Sequence, residues 1–330
     1  MHADGITNST QVRAGGTVLS LLAGPLCAPI LRAHLDGPLR LPDLRERIGG
    51  AAQTTLRGQV GNLRSIGALE RQVRSGMPYT VENELTDAGR GILEVAEAVE
   101  AWLSLAPQGP IALGSEPSKG AIRALVGGWD STVLRVLSAR PLSLTELDGV
   151  IPELSYPSLE RRLSAMRAAR QIEVQADTAG KAKPYAVTEW TRRAVAPLVA
   201  AGRCECRHLS EISDPLERVD IEAAFLLAVP LVALDPRSSG SCLLAVNTGA
   251  GAEGDPAQRV AGVQVEIEGG EVVSCHSRLE QDPGTWALGS VDAWVAAILD
   301  GNLDGVRTGG RDEGLASSLI QGLNQALAVV

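Results

Sequence analysis

One arrangement of apolar and polar positions occurs twice in this chain, 103 residues apart. The segment 37–44 returns at 140–147, and the same shift places Leu56 on Leu159. Solenoid repeats have units of about 20–50 residues, so a period this long does not fit them. The pattern therefore predicts two copies of a small domain, at 15–106 and 116–208.

The spacing of apolar residues predicts the same order of elements in both copies. The first copy is predicted to have helices at 25–34, 41–48 and 53–66, strands at 69–74 and 79–85, and a closing helix from Asp87. The second is predicted to have helices at 130–138 and 144–150, a third helix capped by Ser155, strands at 172–176 and 185–188, and a closing helix at 189–201. This order is the winged helix-turn-helix plan, in which the third helix fits a DNA major groove about 12 Å wide.

Two motifs then resemble one family of DNA-binding proteins. The run Leu85–Arg90 (LTDAGR), followed by Leu93, Val99 and Trp102, is similar to the wing exit and dimerisation helix of HxlR-type transcription regulators, a branch close to the MarR group. The run 127–130 (GGWD) with the apolar segment after it resembles that family's opening helix. The first copy has Gly-Pro-Leu at 24–26 instead and lacks the tryptophan. The resemblance covers about residues 15–208.

The resemblance implies a dimer formed through first and last helices. A tandem copy could form that dimer within one chain, as an internal pseudo-dimer, and whether two chains pair further as a homodimer is left open. The two third helices would then lie roughly 34–36 Å apart, one turn of double-stranded DNA. We therefore expect a quasi-palindromic site with unlike halves.

Polar residues off the apolar stripe of each third helix are the predicted DNA contacts, together with two lysines of the second wing. Arg pairs with guanine, Gln with adenine, and hydroxyl groups with bases or phosphates. The alternative for each residue is an ordinary solvated surface. Glu160 and the helix-weakening Gly58 and Gly61 count against strong binding. The candidates are Gln53, Thr54, Thr55, Arg57, Arg64, Tyr156, Ser158, Arg161, Arg162, Lys181 and Lys183.

The last third of the chain differs from the rest in its net charge. The net charge of −9 divides into −1 for residues 1–107 (10 basic, 11 acidic), +4 for 108–210 (14 and 10) and −12 for 211–330 (6 and 18). A polyanion would be repelled by the last part and attracted by the middle. Charge that segregates in this way suggests different partners for different domains.

A third domain is predicted at 214–330. Strands are expected at 241–246, 260–267 and 272–277, a strand or helix–strand pair at 223–234, and helices after Ser290 and at 312–327. The spacing of Ala287, Asp292, Trp294, Leu299, Gly301, Leu303, Gly309, Gly310 and Leu315 resembles the sterol-carrier-protein type of domain. That resemblance implies an α+β domain with a mixed sheet, helices on one side of it and a site for a hydrophobic small molecule. Trp286 and Trp294 are the predicted ligand-lining residues, with ordinary core tryptophans as the alternative.

Other chemistry is not predicted. Cys204-x-Cys206-x-His208 lacks the second ligand pair that a four-ligand zinc site needs, and no catalytic group or cofactor loop stands out, so we expect no enzyme, metal or cofactor. The five cysteines are expected to be reduced thiols. No run of 18 apolar residues and no signal peptide is apparent, which predicts a cytoplasmic protein without a membrane partner.

The sequence thus predicts a mainly α-helical protein with small β-wings that acts as a DNA-binding transcription regulator and responds to a hydrophobic effector. The main alternative is a protein that sequesters such a molecule and whose DNA surface is vestigial. A protein-interaction scaffold is a third reading. Whether the ligand binds in the third domain or between the winged helices stays open.

Overall fold

The computed structural model describes residues 16–74, 80–175, 183–209, 221–247, 260–277 and 284–328. Helices dominate, and three small sheets accompany them. We refer to three units in chain order, each defined by its elements. The first unit contains α1 (Gly16–Leu22), α2 (Cys27–Ala33), α3 (Leu41–Arg47), α4 (Gln53–Ser65), β1 (Leu69–Arg74), β2 (Thr80–Leu85) and α5 (Asp87–Ser104).

The second unit repeats this order, and the third unit is different. The second contains α6 (Glu116–Val126), α7 (Gly128–Ala139), α8 (Leu144–Val150), α9 (Tyr156–Ala168), β3 (Ile172–Val174), β4 (Tyr185–Val187), α10 (Glu189–Arg193) and α11 (Val195–His208). The third contains α12 (Ile221–Ala228), a 3₁₀ turn (Val229–Leu231), β5 (Gly240–Asn247), β6 (Val260–Glu268), β7 (Glu271–His276), β8 (Thr285–Gly289), α13 (Val291–Asp300), β9 (Arg307–Gly310) and α14 (Glu313–Ala328).

Helices α4 and α9 correspond to the predicted third helices, a name that we keep for them although α1 and α6 precede the predicted elements. Each of them buries a single apolar stripe. On α4 the stripe is Leu56, Val60 and Leu63, and on α9 it is Leu159, Leu163 and Met166. This is the spacing of one helical face, so the opposite face of each helix points outward.

The wings also correspond. Strands β1 and β2 pair antiparallel, as do β3 and β4. A short bridge joins Leu39 to Asn83 in the first unit, and Leu142 to Tyr185 in the second. The bridge ties the segment before α3, or before α8, to the wing of the same unit, which fixes the wing beside α4 or α9.

Three features of the helices differ from the sequence predictions. Helices α1 and α6 were not predicted, and α7 begins at Gly128 rather than at Asp130. The closing helix of the second unit is broken at Ala194 and continues to His208, beyond its predicted end at residue 201. Short apolar helices such as α1 depend on tertiary packing more than on their own propensity, so local pattern is a weak guide to them.

Helices α5 and α11 pack against each other and join the first two units. Where α5 ends, Trp102 stacks on Trp190 of α10 with ring centroids 4.9 Å apart and planes inclined by 10°. Each indole donates to the other residue's backbone: Trp102 Nε1 to the Trp190 carbonyl at 2.8 Å, and Trp190 Nε1 to the Trp102 carbonyl at 3.0 Å. Both buried polar groups are thereby satisfied within an apolar contact.

A buried carboxylate adds a second link between these units. Glu205 on α11 is 1% exposed, and its Oε1 accepts the backbone N–H of Val18 in the first turn of α1 at 2.7 Å. The start of a helix carries unsatisfied N–H groups and partial positive charge, so a carboxylate is stabilised there. The contact fixes α1 against α11.

The third unit is built on a five-stranded mixed sheet in the order β7-β6-β5-β8-β9. Strands β5 and β8 are parallel and the other neighbours antiparallel. The apolar run at 223–234, predicted as a strand or a helix–strand pair, forms a helix and a 3₁₀ turn, followed by an isolated bridge from Ala233 to Glu271. Every residue of α12 except Glu222 is buried, and a helix that is apolar all round shows no helical period in its sequence.

Three arginines of the second unit hold the third unit. Arg192 donates to the carbonyl oxygens of Leu226 and Leu227 at 3.0 and 3.5 Å, and Arg193 donates to that of Ala326 at 3.3 Å. Arg203 Nη1 lies 2.8 and 2.7 Å from the two carboxylate oxygens of Asp300. Buried apolar residues of all three units form one continuous core.

Within the described ranges, no single helix is long and apolar enough to cross a membrane. Helices α1 and α2 reach that length and composition together, but they are bent by 84°.

The tryptophan pair predicts a stability effect. Trp102→Phe removes one indole donor and leaves the buried Trp190 carbonyl without its partner, so we expect the free energy of unfolding to fall by about 1–3 kcal/mol. Urea denaturation followed by circular dichroism measures this. Trp129→Phe, at a half-buried position of α7, is the control and should cost less. Equal losses in the two variants would contradict the assigned role of the pair.

Candidate nucleic-acid interface

The outer face of α4 is open to solvent. The predicted contact residues on it are all exposed: Gln53, Thr54, Thr55, Arg57 and Arg64. Neither arginine has an ion-pair partner among the described residues. Two cationic side chains are therefore available on this face.

A shallow groove of about 440 Å³ lies between α4, the start of α3 and strand β2. Arg57 and Arg64 line it, as does Arg40, which is held by Asp43 at 2.7 Å. Gly61 lies between the two α4 arginines at helical spacing, and a Cβ atom added to it would meet no atom within 4 Å. The packing of the protein does not require this glycine, so its surface is free for an external partner to approach closely.

Helix α9 presents a similar face with different chemistry. Tyr156 is 45% exposed, Arg161 and Arg167 are exposed, and Ser158 is half-buried. Glu160 is exposed on the same helix, so the positive charge of this face is partly offset.

Arg162 differs from its neighbour because it has a partner inside the protein. Its Nη1 donates to Asp130 Oδ1 at 2.7 Å, with about a third of each side chain exposed. Asp130 lies in the first turn of α7, so the pair links α9 to the opening helix of its unit. Arg162 as a DNA contact stays a prediction, but a contact would have to compete with Asp130. From the sequence, Asp130 is predicted only as the start of a helix.

The two wings differ in charge. The strands of the first wing carry Glu70, Glu82 and Glu84 against Arg71 and Arg74, so they have almost no net charge. Lys183 at the second wing is exposed, and Lys181 lies outside the described residues. The alternation of Glu82 and Glu84 along β2 is the sequence signal for the glutamates of the first wing.

This geometry can be compared with known proteins. Residues 26–108 match the family model described as HxlR-like helix-turn-helix. The match covers α2 to α5 and therefore both the third helix and the wing of the first unit. It confirms the HxlR resemblance for the first copy.

One solved structure, the reduced form of the transcriptional regulator YodB from B. subtilis, is 28% identical to this chain. The alignment covers 28% of this chain and 92% of that chain, with a TM-score of 0.27. A comparison with curated proteins found no match.

The tryptophans predicted to line a ligand site lie beyond the HxlR-like segment and in different surroundings. Trp294 is 0% exposed, donates from Nε1 to the Ala245 carbonyl at 2.7 Å and packs edge-on against Phe225 at 4.7 Å. It is a core residue with no surface left for a ligand. Trp286 is half-buried, and its ring lies across Gly309 on the neighbouring strand.

Four of the five cysteine thiols are poorly suited to act as nucleophiles. Burial raises the pKa of Cys27, Cys204, Cys242 and Cys275 to about 12, so the nucleophilic thiolate is not formed near neutral pH. The described residues contain no group of three His, Cys, Asp or Glu side chains that could hold a metal ion.

The different surroundings of the two α9 arginines predict different effects on folding. Arg162→Ala breaks the pair with Asp130 and should lower the free energy of unfolding by about 0.2–1 kcal/mol. Arg161→Ala removes an exposed side chain with no partner among the described residues and should leave stability unchanged. Thermal and urea denaturation of both variants measure the difference. A larger loss for Arg161→Ala would contradict the assignment.

Proposed function

We propose that this protein is a DNA-binding transcription regulator that reads double-stranded DNA with α4 and α9 and responds to a hydrophobic small molecule. The observation that carries the proposal is the exposed, unpaired basic face of α4 inside the HxlR-like segment. The HxlR-like match supports the DNA-binding part, because its helix-turn-helix contains that face.

The second unit supports a further step. Helices α8 and α9 follow α3 and α4 at the same interval of 103 residues, and the wing bridges correspond. We infer that the first two units are tandem winged helix-turn-helix copies, joined through α5 and α11 as an internal pseudo-dimer. Because the two outer faces carry different residues, each copy would read a different half-site.

Charge decides which surface meets the DNA. Carboxylates outnumber basic groups threefold in residues 211–330, so this part would be directed away from a phosphate backbone. The described outer faces of α4 and α9 remain exposed in the presence of the acidic third unit. A duplex can therefore approach them without displacing that unit.

Loss of one arginine from each third helix tests the DNA surface. Arg57→Ala and Arg161→Ala should each weaken binding to DNA selected in vitro by about 1–3 kcal/mol, because a bidentate arginine–guanine contact has that magnitude. Mobility shifts at several salt concentrations measure it. For the wild-type protein, the logarithm of affinity should fall with the logarithm of salt by about 0.9 per phosphate contacted.

The matched control is Arg123→Ala, which removes an exposed arginine of α6 outside both outer faces. It should leave selective binding within about twofold, since it removes charge but no base contact. Equal losses in all three variants would show that only net charge matters. A wild-type protein that binds a hydrophobic ligand tightly but selects no DNA would favour the sequestering function instead.

Gly61 gives a test in which stability and function change in opposite directions. Gly61→Ala should stabilise α4 by about 1 kcal/mol, yet weaken DNA binding because the methyl group would stand between the protein and the duplex. Gly120→Ala on α6 is the control, since a Cβ atom there also meets nothing within 4 Å. It should give a similar gain in stability with unchanged DNA affinity. If Gly61→Ala bound DNA as tightly as Gly120→Ala, α4 would not lie against the DNA.

A further inference from the structure

We infer that the effector of the proposed regulator binds in a cavity between α5, α11, α13 and α14, and that it is an amphipathic anion. The inference rests on the proposed function for its regulatory meaning, but the site itself is argued from the cavity alone. The cavity has a volume of about 360 Å³ and is walled by residues of all three units.

Part of the wall of this cavity, which we call the junction cavity, is apolar. Val95 and Ala98 come from α5, Ala200 from α11, and Ile298 from α13. The two alanines leave the space open, whereas larger side chains at these positions would fill it. The wall therefore suits the apolar body of a small molecule.

Gly91 lets α5 pack closely on two side chains of α11 at one end of the cavity. A Cβ atom on this residue would lie 3.1 Å from His208 Cδ2 and 3.2 Å from Cys204 Sγ. A larger residue at this position would therefore push against His208 and Cys204. The thiol of Cys204 is protonated, since burial raises its pKa to about 12, and it contributes a neutral surface.

The charged side chains that line the cavity are two arginines, Arg203 and Arg207, and one carboxylate, Glu94. The His208 ring lines it as well. Arg207 and His208 are exposed, and Arg203 uses one terminal nitrogen, Nη1, for both of its bonds to Asp300. The planar guanidinium has further N–H donors for a carboxylate or sulfonate. An apolar body with one acidic group therefore fits this lining better than a neutral or cationic molecule.

The same arginine explains how an occupant would act on the protein. Arg203 joins α11 to the last residue of α13 through Asp300. An anion in the cavity would share or compete for that guanidinium, and it would contact α5 of the first unit at the same time. A ligand shifts a conformational equilibrium only through differential contacts, and here the contacts span the helix pair that joins the two DNA-reading units.

A pair of dyes tests the site in the full-length protein. The anionic dye is 8-anilinonaphthalene-1-sulfonate, and the neutral one is N-phenyl-1-naphthylamine, which has the same rings without the sulfonate. Both fluoresce more strongly in a dry site. We expect the wild-type protein to bind the sulfonate dye more tightly. Equal or tighter binding of the neutral dye would overturn the anion assignment.

Substitutions of charged residues test where the dyes bind. Arg207→Gln should raise the Kd of the anionic dye by roughly 2- to 5-fold, the range of a solvent-accessible charge pair, and leave the neutral dye unchanged. Asp300→Asn should lower the Kd of the anionic dye within a similar range, because it releases Arg203. Arg123→Gln, with the same loss of charge on α6, should change neither. Equal effects of Arg207→Gln and Arg123→Gln would overturn the site.

Filling the cavity provides an independent measurement. Ala200→Phe should abolish saturable binding of both dyes while the circular dichroism spectrum stays native. If this variant were misfolded, the surface variants Arg207→Gln and Asp300→Asn would still decide the question. Native Ala200→Phe protein that binds the dyes as the wild type does would place the dyes elsewhere and overturn the inference.

A measurement of DNA binding in the presence of the dye distinguishes this inference from the proposed function. Saturating anionic dye should change the Kd for selected DNA by roughly 5- to 150-fold, the usual range of allosteric coupling, and Ala200→Phe should remove the change. If the protein binds the dye in this way but selects no DNA, the ligand site is supported and the proposed function is wrong. Selective DNA binding that the bound dye does not alter would overturn the effector role of the cavity.

Discussion

The packing of α5 against α11 is the constraint on which the rest of the structure depends. Neither unit could bury its closing helix alone, and the reciprocal indole–carbonyl bonds of Trp102 and Trp190 join the two at one end. Helices α4 and α9 each pack on their own unit, and the packing of α5 against α11 joins the two units. The relative placement of the two outer faces is therefore set by one interface whose polar groups are satisfied from within.

Helices α10 and α11 hold the third unit, through three arginines that reach the ends of its helices. Arg192 reaches the last turn of α12, Arg193 the last turn of α14, and Arg203 the last residue of α13. Helix ends expose unsatisfied carbonyl groups and partial negative charge, so a guanidinium stabilises each of them. Burial lowers the pKa of Arg192, and the carbonyl bonds offset that desolvation. A strongly acidic unit is thus held by the basic middle of the chain.

Much of this architecture follows from local sequence. Helices α3, α4, α8 and α9 lie within a residue or two of the predicted bounds, because each has a clear apolar stripe and a defined start. Helix α12 does not, since burial on all sides erases the period on which such reasoning depends. The exposed faces of α4 and α9 were also predictable, because exposure is the complement of the stripe. The Arg162–Asp130 pair was not, since its partners are 32 residues apart and meet only through the packing of α7 on the unit.

In the tandem arrangement that we propose, the two copies are free to diverge in a way that two identical chains are not. In a homodimer every substitution on the reading helix appears twice, and both half-sites must follow it. Here α4 carries two glycines, whereas α9 carries adjacent arginines, one of which is paired with Asp130. The framework helices keep their interval while the outer faces differ. The two helices also contribute different charges to the junction cavity, because its arginines come from α11 and its carboxylate from α5. A ligand there would meet arginines on one helix and a carboxylate on the other, whereas a twofold interface would offer two equivalent sites.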